Sequence, residues 1–118
     1  MTLSTHVLDA TTGRPAAGVR VRLHCAAGEG GADAGWVPAG QGQTDVDGRL
    51  RLSDPGGAAD FDPGVYRITF GTGAYFTARG SASFYPEVTI TFEITGRDEH
   101  YHVPLLLSPY AYSTYRGS

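Results

Sequence analysis

Apolar and polar residues alternate one by one along several short runs of this chain, and this alternation constrains the fold more than any other feature. In the clearest run, residues 88–94, valine, isoleucine or phenylalanine occupies every second position. Residues 3–8, 19–25 and 64–70 show the same period of two. Because successive side chains of a β-strand point to opposite faces, such runs are typical of strands with one buried and one exposed face.

Turn-forming residues separate these runs. The chain has 17 glycines and 7 prolines among 118 residues, well above average usage, which favours many short elements. The pattern predicts an all-β fold: an antiparallel β-sandwich of seven or eight strands, with at most one short helix near residues 74–79, in a single domain over residues 1–118. It also predicts a short strand at 36–37 that ends at Pro38. Pro104, within a predicted strand at 100–107, is expected only near a sheet edge or a bulge.

Composition limits the partners of the chain. Its net charge of −3 is weak and has the wrong sign for a nucleic-acid surface. No apolar run approaches the ~18 residues of a membrane span, and the first residues form no apolar leader, so we expect a cytoplasmic protein without membrane attachment. Cys25 is the only cysteine, which excludes an internal disulfide and a multi-cysteine metal site.

His100 and His102 are the most informative polar residues of the sequence. They are two residues apart on a predicted strand, so they project from the same face. Paired imidazoles suit a metal site, acid–base chemistry near neutral pH, or a polar sheet face without a function, and spacing alone leaves these three uses open. A metal site would need a third ligand, such as His6, an aspartate or a glutamate.

Two further residues are candidates for chemistry. His6 lies within the first predicted strand, where a single histidine is usually structural or solvated. Arg49 follows the turn dipeptide Asp47-Gly48, where it either supports the turn or binds an anionic or carbonyl-rich ligand through its guanidinium. His24 shares a strand face with two arginines, which indicates an ordinary solvated position.

Five segments together resemble a known family. They are residues 3–9 (LSTHVLD), 44–49 (TDVDGR), 83–87 (SFYPE), 100–108 (HYHVPLLLS) and 115–118 (YRGS). The chain resembles the transthyretin-related family of 5-hydroxyisourate hydrolases from residue 3 to residue 118. The terminal Tyr-Arg-Gly-Ser is the feature that separates these hydrolases from the transthyretin carriers.

The resemblance implies an eight-stranded transthyretin-like sandwich with one short helix. It also implies a homotetramer with active sites in the cleft where dimers meet, and it implies no metal or other cofactor. The family's catalytic residues correspond here to His6, Arg49, His102 and Ser118. Three more residues are expected to support the site: His100, Tyr115 and Arg116.

The implied substrate is 5-hydroxyisourate, a small, planar purine product of urate oxidation. The implied reaction is hydrolysis of the cyclic amide at the N1–C6 bond, which gives 2-oxo-4-hydroxy-4-carboxy-5-ureidoimidazoline on the way to allantoin. On this interpretation a histidine activates water, with His102 favoured over His6, and Arg49 binds carbonyl oxygens and stabilises negative charge. Ser118 contributes its hydroxyl or its terminal carboxylate. Direct attack by water is favoured over a serine nucleophile because the sequence has no activated-serine elbow.

Three alternatives stay open at this point. The first is a transthyretin-like carrier of a hydrophobic small molecule, although such a ligand prefers an apolar channel to a cleft with histidines and an arginine. The second is a zinc hydrolase with His6, His100 and His102 as ligands. The third is a purely structural sandwich domain, which leaves the terminal motif unexplained.

Overall fold

The computed structural model describes residues 2–27, 35–52, 61–96 and 99–117. In chain order, these residues form β1 (Thr2–Asp9), β2 (Arg14–Pro15), β3 (Arg20–Ala26), β4 (Trp36–Gln43), β5 (Arg49–Leu52), β6 (Gly64–Phe70), α1 (Thr72–Ala78), β7 (Val88–Ile94), β8 (His100–Leu107) and β9 (Tyr112–Thr114). The four alternating runs are strands, as predicted. The single domain over 1–118 stays a prediction.

The strands form two sheets. In the first sheet, β1 is central: one edge pairs with β2 and β5, the other edge pairs with β8, and β8 pairs with β9. The second sheet has the order β4-β3-β6-β7. Among the described strands, every pairing is antiparallel except that of β1 with β8, which is parallel. The predicted β-sandwich is confirmed, with one parallel pair that the sequence pattern does not indicate.

The inner faces of the two sheets supply the hydrophobic core. Side chains that are at most 2% exposed come from both sheets and include Leu3, Val7, Val21, Leu23, Ile68, Phe70, Val88, Ile94, Leu105 and Leu107. Along β1, buried and half-buried residues alternate, with Leu3 and Val7 inside and Ser4 and His6 outside. Packing of the apolar residues therefore fixes which face of β1 stays polar and open.

The predicted end of the strand at Pro38 is wrong. β4 continues through Pro38 as far as Gln43. β4 is an edge strand, and Pro38 lies opposite His24, next to a register irregularity between Leu23 and His24 of β3. Proline is tolerated at such a position because an edge strand pairs on one side only and a bulge interrupts the ladder.

Pro104 lies inside β8, which has a neighbouring strand on each side. Pairing between β8 and β9 begins at Leu105, which lies opposite Thr114. Among the described residues, the one further pair nearer the start of β8 is an isolated bridge between His102 and Gly117. The Thr114 hydroxyl donates a hydrogen bond to the Pro104 carbonyl at 2.8 Å. Pro104, which has no N–H to donate, therefore occupies an interruption of the ladder and not a sheet edge.

The one described helix packs against the hydrophobic core. α1 begins two residues before the predicted segment, and Tyr75 and Phe76 are its buried aromatic residues. The Tyr75 hydroxyl donates a hydrogen bond to a carboxylate oxygen of buried Asp9 at 2.9 Å. Among the described residues, no helix has the length and apolar character needed to cross a membrane.

Candidate active site

The outer faces of β1, β5 and β8 bring most of the predicted site residues together. In the parallel pair of β1 and β8, Ser4 is the partner of His102, and His100 lies two residues before His102 on the same face. In the antiparallel pair of β1 and β5, His6 is the partner of Arg49. Because cross-strand partners lie on the same side of a sheet, these side chains share one surface.

The turn between β4 and β5 positions Arg49. Within this turn, Oδ1 of Asp45 accepts hydrogen bonds from the backbone N–H groups of Asp47 and Arg49, each at 2.9 Å. Gly48 has a φ of +74°, and a Cβ added to it would lie 2.4 Å from the Val7 carbonyl oxygen. The Asp-Gly turn predicted from the sequence is therefore present, and it packs so closely on β1 that only glycine fits.

The same turn holds His6. Its Nε2 lies 2.9 Å from the backbone carbonyl oxygen of Asp47. Since a carbonyl oxygen only accepts, Nε2 carries the proton and neutral His6 keeps an unprotonated Nδ1. His6 is half-buried next to the strand position of Arg49.

Hydroxyl groups of β1 connect the two histidines of β8. The Ser4 Oγ lies 2.8 Å from Nδ1 of His102 and 3.0 Å from Nε2 of His100. Nδ1 of His100 is hydrogen-bonded to the Thr2 hydroxyl. Within the described part of the chain, Nε2 of His102 has no hydrogen-bond partner, so this nitrogen is the one available to a bound molecule.

The surroundings of His102 lower its pKa below the ordinary value of 6.5. Burial of the ring is the largest cause, and positive charge on His100, His6 and Arg49 adds to it. Loss of water and nearby like charge both disfavour the imidazolium form. His102 is therefore neutral at pH 7, which is the state in which an imidazole accepts a proton.

A cavity of about 490 Å³ opens beside these side chains. Of the predicted residues, it is lined by Arg49, His100 and His102, whereas His6 is not among its lining residues. Sequence reasoning missed five polar residues that line it: Ser4, Thr5, Gln43, Asp45 and Arg51. Two of them carried a signal, because Ser4 shares a face of β1 with His6 and Arg51 shares a face of β5 with Arg49.

Cationic groups dominate the charge of this cavity. Arg49 and Arg51 are both exposed on β5. Asp45 is the one carboxylate among the described lining residues, and its Oδ1 is already bonded to the backbone of the turn. The cavity therefore favours an anionic or carbonyl-rich molecule, next to an imidazole that can remove a proton from water.

The C-terminal segment reaches His102 from another side. The Gly117 N–H donates a hydrogen bond to the His102 carbonyl at 2.8 Å. A Cβ added to Gly117 would lie 2.5 Å from Cδ2 of the imidazole, so glycine at this position leaves room for the ring. Ser118, which the resemblance implies as a catalytic residue, lies outside the described residues.

Tyr115 and Arg116 do not line the large cavity. They line a smaller one of about 230 Å³, which His102 also contacts. The Arg116 guanidinium lies 4.5 Å from the ring centroid of Tyr101 and 3.1 Å from a carboxylate oxygen of Glu99. These contacts anchor the segment that leads to Gly117.

The described residues form no group of three or more His, Cys, Asp or Glu side chains that is placed to hold a metal ion. The zinc alternative needs three histidines that converge. Instead, both ring nitrogens of His100 contact hydroxyl groups, and Nε2 of His6 donates to the Asp47 carbonyl. The arrangement of the three histidines favours acid–base chemistry.

Comparisons with known proteins show which proteins this chain resembles. The model of the HIUase/Transthyretin family matches residues 3–117. A 5-hydroxyisourate hydrolase of Salmonella typhimurium is 50% identical over 116 residues, which cover 98% of this chain and 80% of that protein.

Two solved structures share the fold. The structure of Klebsiella pneumoniae 5-hydroxyisourate hydrolase has a TM-score of 0.81 at 39% identity, with 100% of each chain covered. Sea bream transthyretin in complex with thyroxine has a TM-score of 0.85 at 34% identity, with 98% of this chain and 93% of that chain covered. A hydrolase and a transthyretin thus have the same fold, so the side chains of the site must distinguish between the two functions.

Proposed function

The chain belongs to the HIUase/transthyretin family, and we propose that it is a hydrolase of 5-hydroxyisourate. The reaction is hydrolysis of the N1–C6 cyclic amide to 2-oxo-4-hydroxy-4-carboxy-5-ureidoimidazoline, a step of urate degradation to allantoin. One observation carries the proposal: the weakly basic, neutral His102 and the Arg49 guanidinium line the same cavity.

His102 is the proposed general base. Amide hydrolysis starts when water loses a proton as it attacks the carbonyl carbon. Nε2 of His102 takes that proton, and such a base typically contributes ~10²–10⁴-fold to the rate. The imidazolium that forms has a lowered pKa, so it readily gives the proton to the leaving ring nitrogen.

Arg49 is the proposed electrostatic partner. Attack on the carbonyl places negative charge on its oxygen, and the guanidinium of Arg49, whose backbone is held by the turn, stabilises that charge. His6, whose Nε2 donates to the Asp47 carbonyl, keeps Nδ1 free to orient water. Water, and not Ser118, is the nucleophile in this proposal, and Ser118 contributes its hydroxyl or carboxylate to the substrate or to a histidine.

The proposal includes a cytoplasmic homotetramer with sites where dimers meet. The outer face of β1, β5 and β8 supports it, because this face is polar and open in one chain and a second dimer would enclose the cavity. Light scattering combined with activity at decreasing protein concentration tests the assembly. Full activity in a monomer would contradict a site shared between dimers.

A carrier of a hydrophobic molecule is the competing function. The lining of the cavity does not favour this function, because two arginines and two histidines line it and an apolar ligand gains little binding energy beside such polar groups. Mixing the protein with fresh 5-hydroxyisourate and following the ultraviolet absorbance separates the two functions. Decay faster than the uncatalysed reaction supports the hydrolase, whereas binding without faster decay supports the carrier. Dialysis against a chelator before the assay should leave the rate unchanged.

A further inference from the structure

The Ser4 hydroxyl lies between two imidazole nitrogens. Its Oγ is 2.8 Å from Nδ1 of His102 and 3.0 Å from Nε2 of His100. A serine hydroxyl has one proton, so it donates to one nitrogen and accepts from the other. At the far end of this chain of hydrogen bonds, the Thr2 hydroxyl contacts Nδ1 of His100.

Only two arrangements of protons satisfy all of these contacts when both histidines are neutral. In the first, His102 donates from Nδ1 to Ser4, Ser4 donates to Nε2 of His100, and His100 donates from Nδ1 to Thr2. In the second, every donor and acceptor is exchanged. The first leaves Nε2 of His102 unprotonated and the second places a proton there. The direction in which the hydrogen bonds are donated therefore decides which tautomer His102 adopts.

We propose that Ser4 is a positioning residue that holds His102 in the tautomer with its proton on Nδ1, so that Nε2 is free to accept a proton from water. The requirement that Nε2 be unprotonated rests on the proposed hydrolysis. The series of hydrogen bonds is inferred from the observed contacts alone. Ser4 suits this role because it is the cross-strand partner of His102 and is half-buried, with its hydroxyl directed along the sheet face. His100 completes the chain by accepting the Ser4 proton.

The tautomer can be measured directly. The protein labelled with ¹⁵N-histidine is studied by NMR above the pKa of His102, with the His102 signals assigned from their loss in His102→Ala. We expect a protonated Nδ1 in the wild type. In Ser4→Ala, Nδ1 loses its partner and the proton should move to Nε2, which is the tautomer that free histidine prefers in water. Ser4→Thr keeps the hydroxyl and should keep the wild-type tautomer.

Kinetics supply the second readout. In Ser4→Ala, kcat for 5-hydroxyisourate should fall about tenfold, as expected for the loss of one hydrogen bond to a catalytic group, while KM stays within about twofold. The double variant Ser4→Ala/His100→Ala should lose no more than the larger single loss, because both changes break one chain. Thr91→Ala removes an exposed hydroxyl from β7 on the other sheet and is the matched control.

The outcomes separate this proposal from the proposed function. An unchanged His102 tautomer in Ser4→Ala overturns the positioning role, and so does additivity of the two single variants. If the wild type shows the expected tautomer and its loss in Ser4→Ala, but does not hydrolyse 5-hydroxyisourate, the chain of hydrogen bonds is supported and the proposed function fails.

Discussion

Both sheets of the sandwich present polar outer faces, yet their polar groups find partners in different ways. On the second sheet, Arg22 pairs with Glu87 at 3.7 Å and the Arg67 guanidinium lies 4.1 Å from the ring centroid of Trp36. On the first sheet, hydroxyl and carbonyl groups bond the histidines. Of the described carboxylates, none forms an ion pair with the Arg49 guanidinium.

This difference distinguishes a solvated face from a site. Alternating polar residues predict an outward face for both sheets, but they do not indicate which of the two faces carries a functional site. On the second sheet, one arginine pairs with a carboxylate and another stacks on an aromatic ring, which is ordinary for a surface. On the first sheet, two arginines that form no ion pair with any described carboxylate lie beside a neutral imidazole at one cavity, an arrangement typical of functional sites.

Replacing one histidine on each outer face with alanine should give the largest difference in kcat. His102→Ala removes the proposed base, so kcat should fall by roughly 10²–10⁴-fold in the ultraviolet assay. His24→Ala removes a half-buried imidazole from β3 of the second sheet and should leave kcat unchanged. A folded His102→Ala variant with normal turnover would assign the base to another group.

An arginine from each face gives the next contrast. Arg49→Ala removes the proposed stabiliser of the oxyanion, and losing such a donor costs ~2.7–4 kcal/mol, or about 10²–10³-fold in kcat. Arg22→Ala breaks only the exposed pair with Glu87, so both kcat and the free energy of unfolding should change little. Equal losses of kcat in the two variants would mean that the faces do not differ in function.

Local sequence signals predict much of this site. Strand spacing puts His100 and His102 on the same face, and the Asp47-Gly48 dipeptide predicts the turn from which Arg49 projects. Both signals depend on residues within a few positions of each other, where strand geometry and turn chemistry act directly. The structure places these residues as those signals indicate.

Contacts between distant parts of the chain have no such signal. Ser4 and His102 are 98 positions apart, and they meet only because β1 pairs in parallel with β8. A serine on a half-buried strand otherwise resembles any solvent-facing residue. The continuation of β4 through Pro38 is a similar case, since it depends on β4 being an edge strand, which the local sequence does not specify.

Glycines on the two sheets provide a smaller and more specific test. Gly117→Ala puts a Cβ 2.5 Å from Cδ2 of His102, closer than two carbon atoms can approach, so the imidazole must tilt. We expect about a tenfold loss of kcat without removal of any catalytic atom, as misplaced groups react slowly. Gly71→Ala on the second-sheet side meets its nearest atom at 3.6 Å, an ordinary contact, and should keep full activity. Normal kcat in Gly117→Ala would show that the ring position is not critical.

A buried polar pair outside the site should affect stability and not activity. Tyr75→Phe removes the hydrogen bond to the Asp9 carboxylate and should lower the free energy of unfolding by about 1–2 kcal/mol in urea titrations, with kcat unchanged. Burial and Asp9 raise the pKa of Tyr75 from 10.0 to about 12. Because the folded-state pKa is the higher one, this stabilisation is complete below pH 10 and is lost as the pH rises toward 12. A constant difference between the two proteins across that range would contradict this linkage.

Screening of the charges around His102 should give the smallest effect. If His102 is the base, the acid limb of kcat/KM has its midpoint below pH 6.5, because burial and the charges of His100, His6 and Arg49 lower its pKa. Raising the salt concentration from 0.1 M to 1 M shortens the Debye length from ~10 to ~3 Å and weakens the charge contribution. The midpoint should move toward 6.5 without reaching it, since burial is the largest cause and does not depend on salt. Glu87→Gln, which changes a charge on the second sheet, should leave the midpoint in place. A midpoint above 6.5 at low salt would contradict the assignment of His102 as the base.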